Sequence, residues 1–213
     1  MEKITLVIGN KNYSAWSLRP WVVLKYFDIP FEEIFIPLRQ VDSKEKILKH
    51  SPSGKVPVLK HGKIAVWESL AICEYLADLF PEKNLWPKDI QARAIARAIS
   101  CEMHAGFMDL RKNCPMDVRS DKTGQPQSTE INRDIQRIIQ IWEDCRKNFG
   151  QKGGFLFGEF SVADAMFAPV VFRFNTYGAK LSPIAKNYFN QMLNLSQMKE
   201  WREAANKEPD VIS

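Results

Sequence analysis

Between Ser51 and Leu76 the chain reads SPSGKVPVLKHGKIAVWESLAICEYL, and this stretch limits the fold more than any other. The residue before a proline is driven out of the helical region, so Val56 presents its backbone N–H and C=O as a strand edge does. Pro57 then stands at the start of a strand, where a missing N–H does least harm, and a cis bond suits such a turn. Val58 and Leu59 continue the strand, His61-Gly62-Lys63 turns, and Ile64, Ala65 and Val66 return. From Glu68-Ser69 onward the apolar positions Leu70, Ile72, Cys73, Leu76 and Leu79 follow a helical period. One small region thus combines a strand edge for a peptide backbone with a helix N-terminus for a carboxylate. A small peptide with a free acid group fits both.

The rest of the first eighty residues supplies the elements around that hairpin. Lys3 to Gly9 reads as a strand and Gly9-Asn10-Lys11-Asn12 as a turn. A helix is expected from about Ser17 to Phe27, with Ser17 as N-cap and Pro20 in the first turn. Phe31 to Pro37 alternates as a second strand, and Ser43 to His50 forms a short charged helix. Strand, helix, strand, helix, strand, strand, helix is the thioredoxin-like order, a compact α/β unit expected over residues 1–80. Pro81 to Pro87 loses periodicity, so residues 81–88 read as a linker.

Residues 89–213 lack strand alternation and read as an all-helical domain. Ile90 to Lys112 is expected as one long helix with Ile95, Ile99, Met103 and Phe107 on one stripe. A polar break with Gly124 and Pro126 separates it from a second long helix, Glu130 to Phe149, with Ile131, Ile135, Ile138, Ile139 and Trp142 facing inward. Gly150 to Gly158 is a glycine-rich loop, and two or three shorter helices follow. Ser161-Val162-Ala163-Asp164 has the spacing of a capping box, which gives Ser161 and Asp164 a structural role worth about 0.5–2 kcal/mol.

Composition excludes several classes. A formal charge of +5 with interspersed acids gives no single-sign tract for nucleic acid or anionic lipid. No apolar run is long enough to span a membrane, and MEKITLVIGN reads as a strand rather than a secretory signal. Cys73, Cys101, Cys114 and Cys145 show no C-x-x-C and no zinc-like pairing, so no metal is expected. They fit reduced thiols in a cytoplasmic protein.

The Val56-Pro57 step and the Glu68-Ser69 pair resemble the glutathione-binding half of the cytosolic glutathione S-transferases. The likeness is to the serine-type branch that includes the zeta class, the maleylacetoacetate isomerases. The run Glu102-Met103-His104-Ala105-Gly106-Phe107, with Leu110-Arg111 and Pro115-Met116, is similar to a bacterial subgroup of the family. The resemblance implies glutathione as co-substrate, a small electrophile as second substrate, and a homodimer. Activating the peptide requires its thiolate. A thiol of pKa ~8.5 is only about 3% ionised at pH 7, and lowering the pKa by two units takes roughly 2.7 kcal/mol. A hydroxyl at the positive end of a helix can provide this.

The zeta-type motif falls without a gap on Ser14, Ala15, Trp16, Ser17, Leu18 and Arg19. Its activating serine lands on Ser14, with Ser17 as rival, Tyr13 as an alternative donor and Arg19 as added positive potential. The motif's cysteine is Trp16 here, a pocket wall or a core residue, and the missing thiol argues against a disulfide reductase. The resemblance further implies that Val56 pairs with the cysteinyl backbone beside Pro57. Glu68 faces the α-ammonium, Ser69 the γ-glutamyl carboxylate, and Lys55 takes the family's glutamine position. The electrophile site is expected between the domains, with Trp16, His104, Phe107, Arg111 and Arg173 as candidates. The zeta arginine position is Thr176 here, with Arg173 one turn earlier. Transfer to an electrophile, cis-trans isomerisation and non-catalytic binding are the three functions this implies.

Overall fold

The computed structural model describes residues 2–125 and 128–209; Pro126 and the last four residues expected in the helical domain lie outside them. Four strands, β1 (Ile4–Ile8), β2 (Glu32–Phe35), β3 (Val58–His61) and β4 (Ile64–Trp67), form one sheet in the order β2-β1-β3-β4. β1 and β2 are parallel, while β3 runs antiparallel to both β1 and β4. Period-two alternation splits the sheet faces. Ile4, Leu6, Ile8 and Leu59 join the main core, whereas Val7 and Val58 pack with Ile36 and Ile47 in a smaller one. Helices α1 (Ala15–Tyr26), α2 (Ser43–Leu48) and α3 (Ser69–Leu79) complete this α/β half.

The helical half follows with α4 (Ile90–Ala105), α5 (Met108–Asn113), α6 (Thr129–Asn148), α7 (Val162–Tyr177), α8 (Pro183–Leu193) and α9 (Ser196–Lys207). α7 carries apolar residues on every side, and all of it except Asn175 is buried. It packs against both α1 and α4, so the main core runs unbroken through both halves. Among the described residues no helix is long and apolar enough to cross a membrane.

Two sequence expectations for the helical half change. Ile90 to Lys112 is two helices, because Gly106 is extended (φ −102°, ψ −166°) and Phe107 left-handed (φ 61°, ψ 45°). A Cβ on Gly106 would lie 2.9 Å from the Glu102 carbonyl oxygen, so the break is built around glycine. The Arg111 guanidinium folds back onto the Met103, His104 and Gly106 carbonyls and satisfies the end of α4. Ile95 is not on the buried stripe: it is 43% exposed, and Ala92, Ala96, Ile99 and Met103 form the inward face. The small alanines let α4 approach its neighbour closely.

The capping box opens α7 as read from the sequence. Asp164, fully buried, accepts from Ser161 N–H (2.9 Å), Ser161 Oγ (3.0 Å) and Leu156 N–H (3.0 Å). Its reach therefore includes the glycine-rich loop, and Val162 N–H donates to the carbonyl of Leu85, a core residue, at 2.9 Å. Burial pushes the Asp164 carboxyl up to about 6, with these hydrogen bonds pulling the other way. A folded-state value above the unfolded one gives stability that is fully present below about pH 4 and lost as pH rises through about 6. The stability difference between wild type and Asp164→Asn should thus shrink by about 3 kcal/mol between those limits and stay flat above. Urea midpoints across that range check it; a difference growing with pH would contradict it.

Candidate functional site

Ser14 is the N-cap of α1, because its carbonyl accepts from Ser17 and Leu18 N–H (3.1 and 3.3 Å). The N-cap therefore lies three residues before the expected Ser17, and Pro20 falls in the second turn. Ser17 is buried in the helix rather than capping it: its Oγ accepts Gly9 N–H (3.2 Å) across the turn and Ser14 Oγ–H (2.8 Å). The two serines thus separate by task. Ser17 staples α1 to the end of β1, while Ser14 holds a hydroxyl at the positive end of the helix.

Across from this turn is a small cavity of 130 Å³, lined by Trp16, Ser53, Lys55, Val56, Pro57, Glu68 and Ser69. The Val56-Pro57 bond is cis. Glu68, N-cap of α3, has φ 69° and ψ 122°, a conformation that costs a non-glycine residue about 1–3 kcal/mol and is characteristic of functional sites. Its half-exposed side chain stands free of the core. Ser69 is buried, and its Oγ accepts from Arg19 Nη1 at 3.4 Å. Arg19 is itself buried and donates Nε–H to the Met166 carbonyl (3.1 Å), tying α1, α3 and α7 together beneath the cavity. Burial, then Arg111 and Arg173, pull the Arg19 guanidinium well below the ordinary arginine value.

Trp16 joins the cavity to the helical half. The Arg19 and Arg111 guanidinium carbons lie 4.4 and 4.8 Å from its ring centroid, and the His104 ring meets it edge-on at 5.2 Å. His104 Nε2 lies 3.5 Å from Glu68 Oε2, while its buried Nδ1 finds no protein partner. Burial and then Arg19 lower the His104 pKa, Glu68 opposes them, and Arg111 adds to the lowering, so the ring is neutral at pH 7. Arg173 is buried and donates Nε–H to the Cys114 carbonyl at 2.9 Å. Phe107 is only 8% exposed and belongs to the core. Trp16, His104, Arg19 and Arg111 therefore come together, with Arg173 close enough to Arg19 to act on its charge. Thr176 donates to the Asp117 carbonyl at 2.8 Å. Cys73, Cys114 and Cys145 are buried, and burial pushes the Cys73 and Cys145 thiols up to about 12.

A family model described as the N-terminal domain of glutathione S-transferase matches residues 13–79, and its C-terminal counterpart matches residues 125–206. The chain belongs to the glutathione S-transferase family. The first match contains Ser14 and every residue lining the cavity. The chain is 28% identical over 172 residues to glutathione S-transferase 1 of Dianthus caryophyllus, covering 80% of this chain and 76% of that protein. To a probable maleylacetoacetate isomerase of Caenorhabditis elegans it is 27% identical over 176 residues, covering 80% and 81%. The fold is that of a Burkholderia glutathione transferase homolog solved with bound glutathione. The TM-score is 0.74 at 22% identity, over 97% of this chain and 100% of that one.

Sequence reasoning passed over Ser53, whose Oγ lies 2.9 Å from Ser51 Oγ and accepts Lys55 N–H (3.3 Å) at the rim of the cavity. Its place two residues before Lys55 was the available signal. It also passed over Asn12, Asp117 and Glu208, which meet at the Ser14 turn from distant parts of the chain.

The serine geometry yields a stability test. Ser17→Ala leaves the buried Gly9 N–H without its acceptor and should cost about 1–3 kcal/mol. Ser14→Ala removes no such acceptor and should cost less than about 1 kcal/mol. Urea unfolding of the two variants measures the difference.

Proposed function

We propose that the cavity beside the Val56-Pro57 edge binds glutathione, and that Ser14 turns its hydroxyl hydrogen bond from Ser17 Oγ to the thiolate for attack on a small electrophile. The observation that carries this reading is the convergence of Lys55, Val56, Pro57, Glu68 and Ser69 on one cavity, with Trp16 as a wall and Ser14 two residues before it at the head of α1. Glu68 takes the α-ammonium, and Ser69 with the N-terminus of α3 takes the γ-glutamyl carboxylate. The Arg19 bond to Ser69 Oγ adds positive charge beneath that carboxylate. Lys55 takes a carboxylate of the peptide. In the reaction a carbon–sulfur bond forms, and the electrophile either expels a leaving group or accepts a proton.

Isomerisation is a second reading, favoured by the relative named as a maleylacetoacetate isomerase. There the same thiolate adds to a double bond and leaves after rotation, with no net consumption of glutathione. No cysteine stands in the β1–α1 turn to form a mixed disulfide, which supports a serine chemistry. The edge strand β4 exposes Ile64 and Trp67, and α4 exposes Ile90 and Ile95; we read these apolar surfaces as the contact in a homodimer.

Calorimetric titration and initial rates test the proposal. Glu68→Ala removes a charge-assisted bond of about 1.5–3 kcal/mol and should weaken glutathione binding at least about tenfold. Ser14→Ala should keep binding within about threefold while losing about 100-fold in kcat. Unchanged affinity in Glu68→Ala refutes the binding mode. A fully active Ser14→Ala beside an inactive but folded Ser17→Ala refutes the role of Ser14.

A further inference from the structure

The turn that leads into Ser14 is tied to its own half by side chains, with Asn10 Oδ1 accepting Leu38 N–H at 2.7 Å and Lys11 Nζ donating to Glu33 at 2.5 Å, but the Lys11 and Asn12 backbone is held by the helical half. Lys11 N–H donates to Glu208 Oε1 at 2.5 Å and Asn12 N–H to Glu208 Oε2 at 3.1 Å. The Lys11 carbonyl accepts from Trp201 Nε1 at 2.7 Å, and the Asn12 carbonyl from Val118 N–H at 3.1 Å. All four polar groups of these two consecutive residues' backbone thus find partners between Val118 and Glu208. The Asn12 side chain repeats the pattern: Nδ2 donates to Asp117 Oδ1 and Oδ1 accepts from Arg119 N–H, both at 3.1 Å.

Glu208 is fixed in turn. Arg119 Nη1 donates to its carbonyl at 2.6 Å, and its own N–H closes onto Ala205 at the end of α9. A carboxylate that spans two successive N–H groups makes two charge-assisted bonds and holds both peptide planes at once. The Asn10 carbonyl then accepts Ser14 N–H at 2.8 Å, so the orientation of the turn passes directly to Ser14. The residues lining the cavity on the α/β side, Val56, Pro57, Glu68 and Ser69, make no contact of this kind with Glu208.

We infer that Glu208 is a positioning residue for Ser14: its carboxylate, gripping the Lys11 and Asn12 N–H groups, sets where the Ser14 hydroxyl stands relative to the bound thiol. The inference rests on the proposed role of Ser14. It separates two properties that a purely structural contact would move together. Binding of the peptide depends on Val56, Glu68 and Ser69, whereas activation of the thiol depends on the turn. Displacement of a reacting group by about 1 Å can cost on the order of 100-fold in rate.

The test compares Glu208→Ala, Glu208→Gln and Ser14→Ala with wild type, using glutathione and an aryl halide electrophile. Glu208 is half-buried at the end of α9 and outside the hydrophobic core, so its truncation opens no core cavity. Glu208→Ala should lose about 10–100-fold in kcat with KM for glutathione unchanged within about twofold. The kinetic pKa of kcat/KM for the electrophile at saturating glutathione should rise toward the ~8.5 of a free thiol. Glu208→Gln keeps one acceptor oxygen but turns an NH2 donor toward the other N–H, and should recover only part of the lost kcat. A Glu208→Ala protein with wild-type kcat, or one that loses only unfolding stability or KM, overturns the positioning role while a slow Ser14→Ala leaves the proposed function standing. A Ser14→Ala protein with wild-type kcat overturns both.

Discussion

All residues of α7 except Asn175 are buried, and a helix without a solvent face must be enclosed on every side. α1, α4, α6 and α8 all pack against it, and α1 by doing so joins the sheet half to the helical half in one core. The position of α1 follows from this packing, and with it the place of Ser14 at its head. Arg19 Nε–H on the Met166 carbonyl fixes the crossing point of α1 and α7. Its Nη1 on Ser69 fixes α3 to the same point. The cavity is therefore a consequence of how one apolar helix is covered, with the Asp164 box and the Leu85 carbonyl holding the start of that helix.

The electrostatics around Trp16 follow from the same arrangement. Arg19, Arg111 and Arg173 act on one another's charge, and their described hydrogen bonds end on backbone carbonyls or on Ser69 Oγ, not on carboxylates. The α4 and α5 end carbonyls that meet Arg111 and Arg173 carry partial negative charge, which offsets the cost of burying these guanidinium groups without cancelling their field. Arg173, lowered to about 10 by burial and then by Arg111, remains cationic at neutral pH. Burial first and then Arg19 lower the His104 pKa, and the field of the three guanidinium groups favours negative charge beside Trp16.

Local signals in the sequence were legible because local physics writes them. The proline after Val56, the Gly62 turn, the Glu68-Ser69 helix start and the Ser161–Asp164 spacing each act within a few residues, and each appears where it was read. The α4–α5 break was hidden because a helical pattern tolerates one glycine at a cost of about 1 kcal/mol, and the necessity of Gly106 comes from a close approach to the Glu102 carbonyl. Ser17 was misread as a cap because a serine two residues after an alanine start looks the same whether its hydroxyl turns inward to Gly9 or back to its own helix. Ile95 kept the right period but sits where α4 has no neighbour to cover it. The grip of Glu208 on Lys11 and Asn12 joins residues almost two hundred positions apart, and no periodicity or spacing carries such a contact.

The central claim is that this architecture ionises a bound thiol. Its most direct test is the ultraviolet thiolate absorbance of glutathione bound to the wild-type protein, titrated from about pH 5 to about pH 9. A bound-thiol pKa at or below ~7, against ~8.5 for a free thiol, is the expected result. Glutathione that binds with an unshifted thiol, or that does not bind, would contradict it.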